Sequence, residues 1–430
     1  MYLRKLTSLL LAGTMICSLA ACGSASEGSA SSDAVSSAAE AVEENSEASS
    51  AAEENAVSAE AAASSEAAVS SEAAATASEA AEPAEENASG EVPTLNVSWN
   101  NDLHNGIMQL AMLIPEEFAN DPIHIEPVSE NQFDLVKDGT VIAHFDKVQC
   151  KGASEAAALL AQGHLDVAYC SSTGMLSAYD SGTDVCILCP VQSGGVSIVA
   201  AADAPYNTFE ELVEYAKSSD TPIMAGYHSA ISSPRIVLEY ALTEAGLTVT
   251  EDTADYEADV VMMDLKGLSN LIPSLSSGQV EVWAGPVPHP QKAEEQEVGK
   301  IIARLDDLPG GKWVDFPCCT MNAMKSVTEE YPEIIQALTV VTNRIFSYAN
   351  EERDATAEAL SEWVGLSVEE LKQNDTTYAI APNDKFVNGM TIYVEAMNKM
   401  GKLTGRLSGV TYDDIKDTVF NYSFAEEALK

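Results

Sequence analysis

The polar run Tyr227-His228-Ser229-Ala230-Ile231-Ser232-Ser233-Pro234 sits between an apolar stretch, Pro222–Gly226, and a strong helical pattern, Arg235–Ala245. Side chains of these types at the start of a helix can hold an anion. The first backbone N–H groups of a helix lack partners within it and carry its positive dipole end. Ser hydroxyls add donors without a full charge, and His228 offers one more. The plainer alternative is that Ser229 or Ser232 only caps the helix. Asn100 and Asn101 follow the alternating stretch Leu95–Trp99, where they can bind a ligand or merely shape a turn. Ser171, Ser172 and Thr173 end another apolar stretch in the same way. Gln192 and Ser193 precede two glycines, and Tyr227 and Trp283 offer aromatic faces, Trp283 being read as a wall of the pocket rather than as core.

Other reactive residues point to no chemistry of turnover. Cys186 and Cys189 form a lone C-x-x-C, and Cys318-Cys319 is a neighbouring pair. Four thiols can bind zinc, but both pairs lie in apolar strand patterns, and adjacent residues on a strand face opposite sides. The expectation is buried free cysteines and no metal. The His residues are scattered, without H-x-H or H-E-x-x-H spacing. No G-x-S-x-G, phosphate loop or G-x-G-x-x-G occurs, so neither an enzyme nor a bound cofactor is expected.

A scaffold must bring the polar residues together, and the chain repeats one unit that can. Leu159-Leu160-Ala161-Gln162-Gly163 leads into Asp166-Val167-Ala168-Tyr169-Cys170, and Leu275-Ser276-Ser277-Gly278 leads into Glu281-Val282-Trp283-Ala284-Gly285. Each Gly stands where a helix stops, since a residue without Cβ takes the left-handed conformation at little cost. Each unit is then a helix, a strand and a polar loop, and ligands bind beyond the carboxyl ends of such strands. The spacing elsewhere predicts a helix over Gly106–Phe118 interrupted at Pro115, and a hairpin at Asp138-Gly139. It also predicts a helix capped by Thr208 with Glu211 three residues on. Gln192–Gly195 reads as a first crossing between two lobes, and Pro286-Val287-Pro288-His289-Pro290 as a stiff return.

The formal charge of the 430-residue chain is −45. Met1–Ala21 has the basic start and short apolar run of an export signal. Leu19-Ala20-Ala21-Cys22 then resembles a bacterial lipobox, which makes Cys22 the candidate for lipidation. Residues 22–92 are nearly all Ser, Ala and Glu, too polar to bury a core, and read as a disordered tether. As a random coil it reaches on the order of 50 Å. The signal adds two positive charges and the tether sixteen negative, which leaves −31 on the rest. No basic stripe survives for nucleic acid.

Ala158–Ala168, with its A-L-x-x-G-x-L-D-V-A order, resembles a segment of periplasmic binding proteins for nitrate, sulfonates and taurine. The likeness continues through Tyr227-His228-Ser229, Leu242–Leu247 and Gly278–Trp283, and spans about Leu95 to Leu371. The chain departs from the family at Glu281, where Asp is usual, and in having Trp283-Ala284-Gly285-Pro286 afterwards. The resemblance implies an α/β, two-lobed, type II periplasmic-binding-protein-like fold, each lobe a sheet flanked by helices, with the ligand cleft between. The lobes then divide as 93–192, 193–285 and a return with C-terminal helices over 286–430. It also implies a monomeric receptor, lipid-anchored on the outer face of the cytoplasmic membrane, passing a small anion to an ABC importer permease. The alternatives are a receptor for a thiamine-type pyrimidine or other aromatic precursor, and an enzyme of the pyrimidine-synthase kind on the same fold.

Overall fold

Short apolar strands dominate the first half of the folded chain because Val, Ile and Leu recur at one- and two-residue spacing between glycines and polar turns. The computed structural model describes residues 91–430 except 373 and 375. The expected signal, Cys22 and nearly all of the tether lie outside the described residues.

The first six strands are β1 (Thr94–Ser98), β2 (Ile123–Ser129), β3 (Gln132–Lys137), β4 (Thr140–Lys147), β5 (Val167–Ser171) and β6 (Val185–Ser193). The next six are β7 (Val196–Ala201), β8 (Ile223–Tyr227), β9 (Val249–Thr250), β10 (Val260–Asp264), β11 (Val282–Pro286) and β12 (Gly299–Arg304). Then come β13 (Pro317–Met324) and β14 (Thr377–Tyr378). They form an eight-stranded sheet, ordered β14-β6-β13-β5-β1-β4-β3-β2, and a six-stranded sheet, ordered β12-β7-β11-β8-β10-β9. From Lys325 onward the chain is mainly helical, with Pro332–Glu351 and Asp384–Lys399 the longest helices.

The repeated unit is present in both sheets, and its details match. Helix Ala153–Ala161 ends at Gly163 and helix Leu271–Ser276 at Gly278, each glycine at φ 70°. The acidic residue at each strand entry has the same task. Asp166 accepts the backbone N–H of Asn96 at 2.7 Å, and Glu281 accepts that of Met224 at 2.9 Å. Each carboxylate thereby locks its strand to a neighbouring one by a charge-assisted bond. The hairpin turns at Asp138 and Gly139, φ 50° and 75°, the left-handed pair that a two-residue turn demands. Thr208 caps helix Phe209–Ser218 by accepting from the Glu211 N–H. The expected helix over Gly106–Phe118 is shorter in its pieces: a 3-10 turn, one α turn over Leu110–Leu113, then a 3-10 turn begun by Pro115.

The chain leaves the first sheet after Ser193 and enters the second at Val196, through Gly194 and Gly195. The return differs from expectation. Helix His289–Glu295 and strand β12 follow β11, and β12 pairs antiparallel with β7. The chain therefore stays with the six-stranded sheet to Arg304 and crosses back over residues 305–316. The proline-rich run does not force the return, because Pro290 falls within the first turn of the helix, where its missing N–H costs nothing. One continuous apolar core draws on both sheets, and a smaller cluster around Leu271, Leu275, Val280 and Trp283 belongs to the second sheet alone.

Candidate functional site

A cavity lies where the carboxyl ends of β1, β5, β8 and β11 meet the start of β13, the place such sheets offer to ligands. Asn100, Asp102, His104 and Asn105 come from the loop after β1, Ser171 from the end of β5, and Cys318 and Cys319 from β13. The second sheet contributes His228, Ser232, Pro234 and Pro286. The centre of a water-sized sphere has about 20 Å³ in which to move. That is room for one water or one small ion.

The loop after β1 is held rigid by its own polar groups. Asp102 Oδ1 accepts the backbone N–H of His104 at 2.8 Å and of Asn105 at 3.0 Å, while Asn105 Oδ1 accepts that of Asn100 at 2.6 Å. His104 Nε2 lies 2.7 Å from the carbonyl of Gly195 in the crossing. A carbonyl only accepts, so Nε2 carries the proton and Nδ1 presents its lone pair, 3.3 Å from Cys318 Sγ. Gly195, at φ 70°, must remain glycine there: an added Cβ would meet Thr376 Oγ1 at 2.5 Å and His104 Nε2 at 3.0 Å. Burial works to lower the His104 pKa, but Cys319 and the Asp102 carboxylate outweigh it and hold it above the usual value.

Cys318 and Cys319 do not face opposite sides as strict alternation requires. The register of β13 against β6 shifts on both sides of Cys319, with an extra β13 residue before it and an extra β6 residue after it. Such a bulge re-aims a side chain and is common beside functional sites. Both sulfurs consequently turn toward His104, and Sγ to Sγ is 3.9 Å. The ligand atoms of His104, Cys318 and Cys319 all lie within 4.8 Å of one another. Cys186 and Cys189 sit farther along the sheet, opposite Ala323 and Met321, and take no part. All six described cysteines are buried and free. Desolvation pushes the thiols of Cys150 and Cys186 up to about 11.

Of the residues singled out from the sequence, Asn100, Ser171 and His228 line the cavity. Gln192 adjoins it, accepting the Cys319 backbone N–H at 3.1 Å and donating to the Gly194 carbonyl at 3.1 Å. Ser193 faces an outer groove with Pro317 and Lys385. Asn101 is exposed and donates to the Trp363 carbonyl at 2.9 Å. Ser172 donates to the carbonyls of Pro317 and Cys318, and Thr173 to that of Ile231 at 2.7 Å. Ser229 accepts the Ser154 N–H at 3.1 Å. Tyr227 is buried under the Arg235 guanidinium, 4.9 Å from its ring centre. These hydroxyls and amides are spent on the protein.

Two expectations need correcting. The helix Ser233–Glu244 does not present a row of free N–H groups: Ser233 donates to Ser171 Oγ at 2.9 Å, Pro234 has none, and Ile236 donates to Ser232 at 3.1 Å. Trp283 is not a pocket wall but is fully buried in the apolar cluster of the second sheet. Both faces of the central strands are covered, which leaves Trp283 no open side. Trp283→Phe is expected to cost about 1.5 kcal/mol in urea unfolding and to leave ligand affinity unchanged; a changed affinity would return Trp283 to the pocket.

His228 carries the most distinctive side chain at the cavity. Its Nδ1 is buried without a hydrogen-bond partner. Burial, with the nearby His289 and His104 adding to it, pulls its pKa down to about 3, so the ring stays neutral. His289 falls to about 4 for the same leading reason, with Lys292 assisting. Asp102 and His104 look ordinary in their own segment, and the thiol pair is set aside in the sequence by strand alternation, which the register shift defeats. For the loop, the signal is the run Asp102-x-His104-Asn105 directly after a strand.

A family model described as the NMT1-like family matches residues 141–365. No curated relative matches the chain by sequence. Among solved structures, the ligand-binding component of an ABC-type import system from Staphylococcus aureus, with zinc bound, superposes with a TM-score of 0.58 at 13% identity. It covers 78% of this chain and 99% of that one. The periplasmic nitrate-binding protein from Synechocystis PCC 6803 gives 0.57 at 14%, over 79% and 88%. The alkanesulfonate-binding protein from Xanthomonas axonopodis pv. citri, bound to MOPS, gives 0.55 at 13%, over 73% and 96%. The chain has the periplasmic binding protein fold.

Proposed function

Because this chain belongs to the NMT1-like family, we propose that it is the solute-binding component of an ABC importer, working outside the cytoplasm and not as an enzyme. The observation that carries this reading is the cavity itself. It is built from strand ends of two sheets that the chain joins by two crossings, at Gly194-Gly195 and over residues 305–316. A solute there touches both sheets at once. Binding therefore favours the arrangement in which the two halves are pressed together, and a permease can distinguish that shape. In the same reading the halves are lobes, Cys22 carries lipid, the segment to residue 92 is the spacer to the membrane, and the receptor acts as a monomer. Among the described residues, no helix is long and apolar enough to cross a membrane.

Two structural neighbours are named for sulfonate and nitrate, which makes a small oxyanion the first class of solute to test. The lining favours a second class. It includes the buried Asp102 carboxylate and two thiols, and none of its residues is a Lys or Arg. The aromatic-precursor reading loses its wall with Trp283 in the core.

Thermal unfolding of the purified chain against a panel of nitrate, sulfonates, taurine, pyrimidines and divalent cations tests the reading. A true solute at a hundred times its Kd adds about 2.7 kcal/mol and raises the Tm by a few degrees. A folded protein that no compound in the panel stabilises would remove the case for a receptor.

A further inference from the structure

We infer that His104, Cys318 and Cys319 form a site for one thiophilic divalent cation of the zinc type. The spacing of the three donors is the argument. In a tetrahedral site, Zn–S bonds of about 2.3 Å hold two sulfurs about 3.8 Å apart, and a Zn–N bond of about 2.0 Å holds nitrogen about 3.5 Å from sulfur. The two sulfurs stand 3.9 Å apart, and His104 Nδ1 stands 3.3 Å from Cys318 Sγ. A disulfide would require about 2.05 Å, so the pair is set for a shared ion rather than for a bond to each other.

The surroundings fit the same ion. His104 gives its Nε2 proton to the Gly195 carbonyl, the outer contact that fixes which ring nitrogen a metal can use. The register shifts of β13 around Cys319 accompany the turn of the two thiols to one side. On binding, each thiol releases its proton to solvent, and two thiolates with a neutral imidazole balance a 2+ charge. Three protein donors leave a fourth position toward the cavity, as in open rather than closed zinc sites. The cavity has room for one such ion, and His228 lines it with Nδ1 buried and unpartnered. Hence whatever takes the fourth position meets a neutral imidazole. The binding of the cation follows from these side chains alone; only its meaning for uptake rests on the receptor reading above.

The test uses the purified, reduced, chelator-treated chain with Co²⁺ and Zn²⁺. One equivalent of Co²⁺ is expected, with thiolate-to-cobalt charge-transfer absorption, displaced by Zn²⁺. Cys318→Ser and Cys319→Ser should each weaken Zn²⁺ binding by about 100-fold or more, and His104→Gln by at least about 10-fold. Cys186→Ser, at another point of the sheet, should leave it unchanged. Should a variant fail to fold, the unaltered chain still decides. Zn²⁺ must then shield Cys318 and Cys319, located by peptide mass, from alkylation while other cysteines react as before. Cobalt uptake without the charge-transfer band, affinity unmoved in both serine variants, or a Cys318–Cys319 disulfide in the purified protein would each overturn the site. An oxyanion that stabilises wild type and Cys318→Ser equally, with no cation bound by either, would sink this inference and leave the receptor standing. Cation binding without any effect of the protein on cellular uptake would do the reverse.

Discussion

Metal-free protein is expected to lose about 2 kcal/mol of unfolding free energy between pH 7 and pH 5 through His228 alone, and up to as much again through the less deeply buried His289. The folded chain holds His228 neutral down to about pH 3 and His289 to about pH 4. In the unfolded chain both take up protons near pH 6.5. Below that value the unfolded state binds more protons, so stability is present above pH 6.5 and drains as the pH falls toward the folded pKa values. His104 works in the opposite sense. Its pKa is raised in the folded state, so its contribution grows as the pH falls toward and below 6.5, where it is complete, and it offsets part of the acid loss. Urea unfolding at the two pH values, repeated with His228→Gln, measures the effect. The variant should show a shallower pH dependence, and an unchanged slope would mean that the ring titrates normally in the fold.

Asp180→Ala is expected to cost about 2 kcal/mol, the largest stability effect of any single substitution considered. Asp180 is buried at the end of helix Ser172–Asp180. Its carboxylate accepts the backbone N–H groups of Thr404 at 2.9 Å, Gly405 at 3.0 Å and Leu407 at 2.7 Å. This one side chain stands in for the secondary structure that the segment after Asp384–Lys399 lacks. Removing it unpairs three donors: those of Thr404 and Gly405 lie on exposed residues and turn to water, while that of Leu407 is buried and bears the desolvation penalty. Gly405 is needed for the approach, because a Cβ there would overlap the Asp180 carbonyl oxygen. Asp180→Asn should recover part of the loss, since its amide oxygen still accepts but without charge. The measurement is the urea midpoint of the three proteins. A loss below about 1 kcal/mol for the alanine variant would show that water replaces the carboxylate at Leu407 as well.

What could be read from residue order alone was whatever depends on neighbours a few positions away. The glycine stops at Gly163 and Gly278, the Asp138-Gly139 turn, the Thr208 cap and the paired helix-strand units all follow from backbone sterics and local hydrogen bonds. Their succession was enough to indicate two sheets and a family. The carboxyl ends of the strands were also legible, and with them Asn100, Ser171 and His228 as residues at the cavity. Tertiary structure alone decided how those ends are used. The turn of Cys318 and Cys319 to one side exists only because β13 slips against β6, a strand more than a hundred residues earlier. The donor state of His104 is set by a carbonyl ninety-one residues away. Trp283 went to the core because a neighbouring helix covers its face, and the Ser233 N–H was taken by Ser171 from the other sheet. Hydrogen-bond partners and strand register are properties of pairs brought together by folding, so no window of sequence, however long its pattern, contains them.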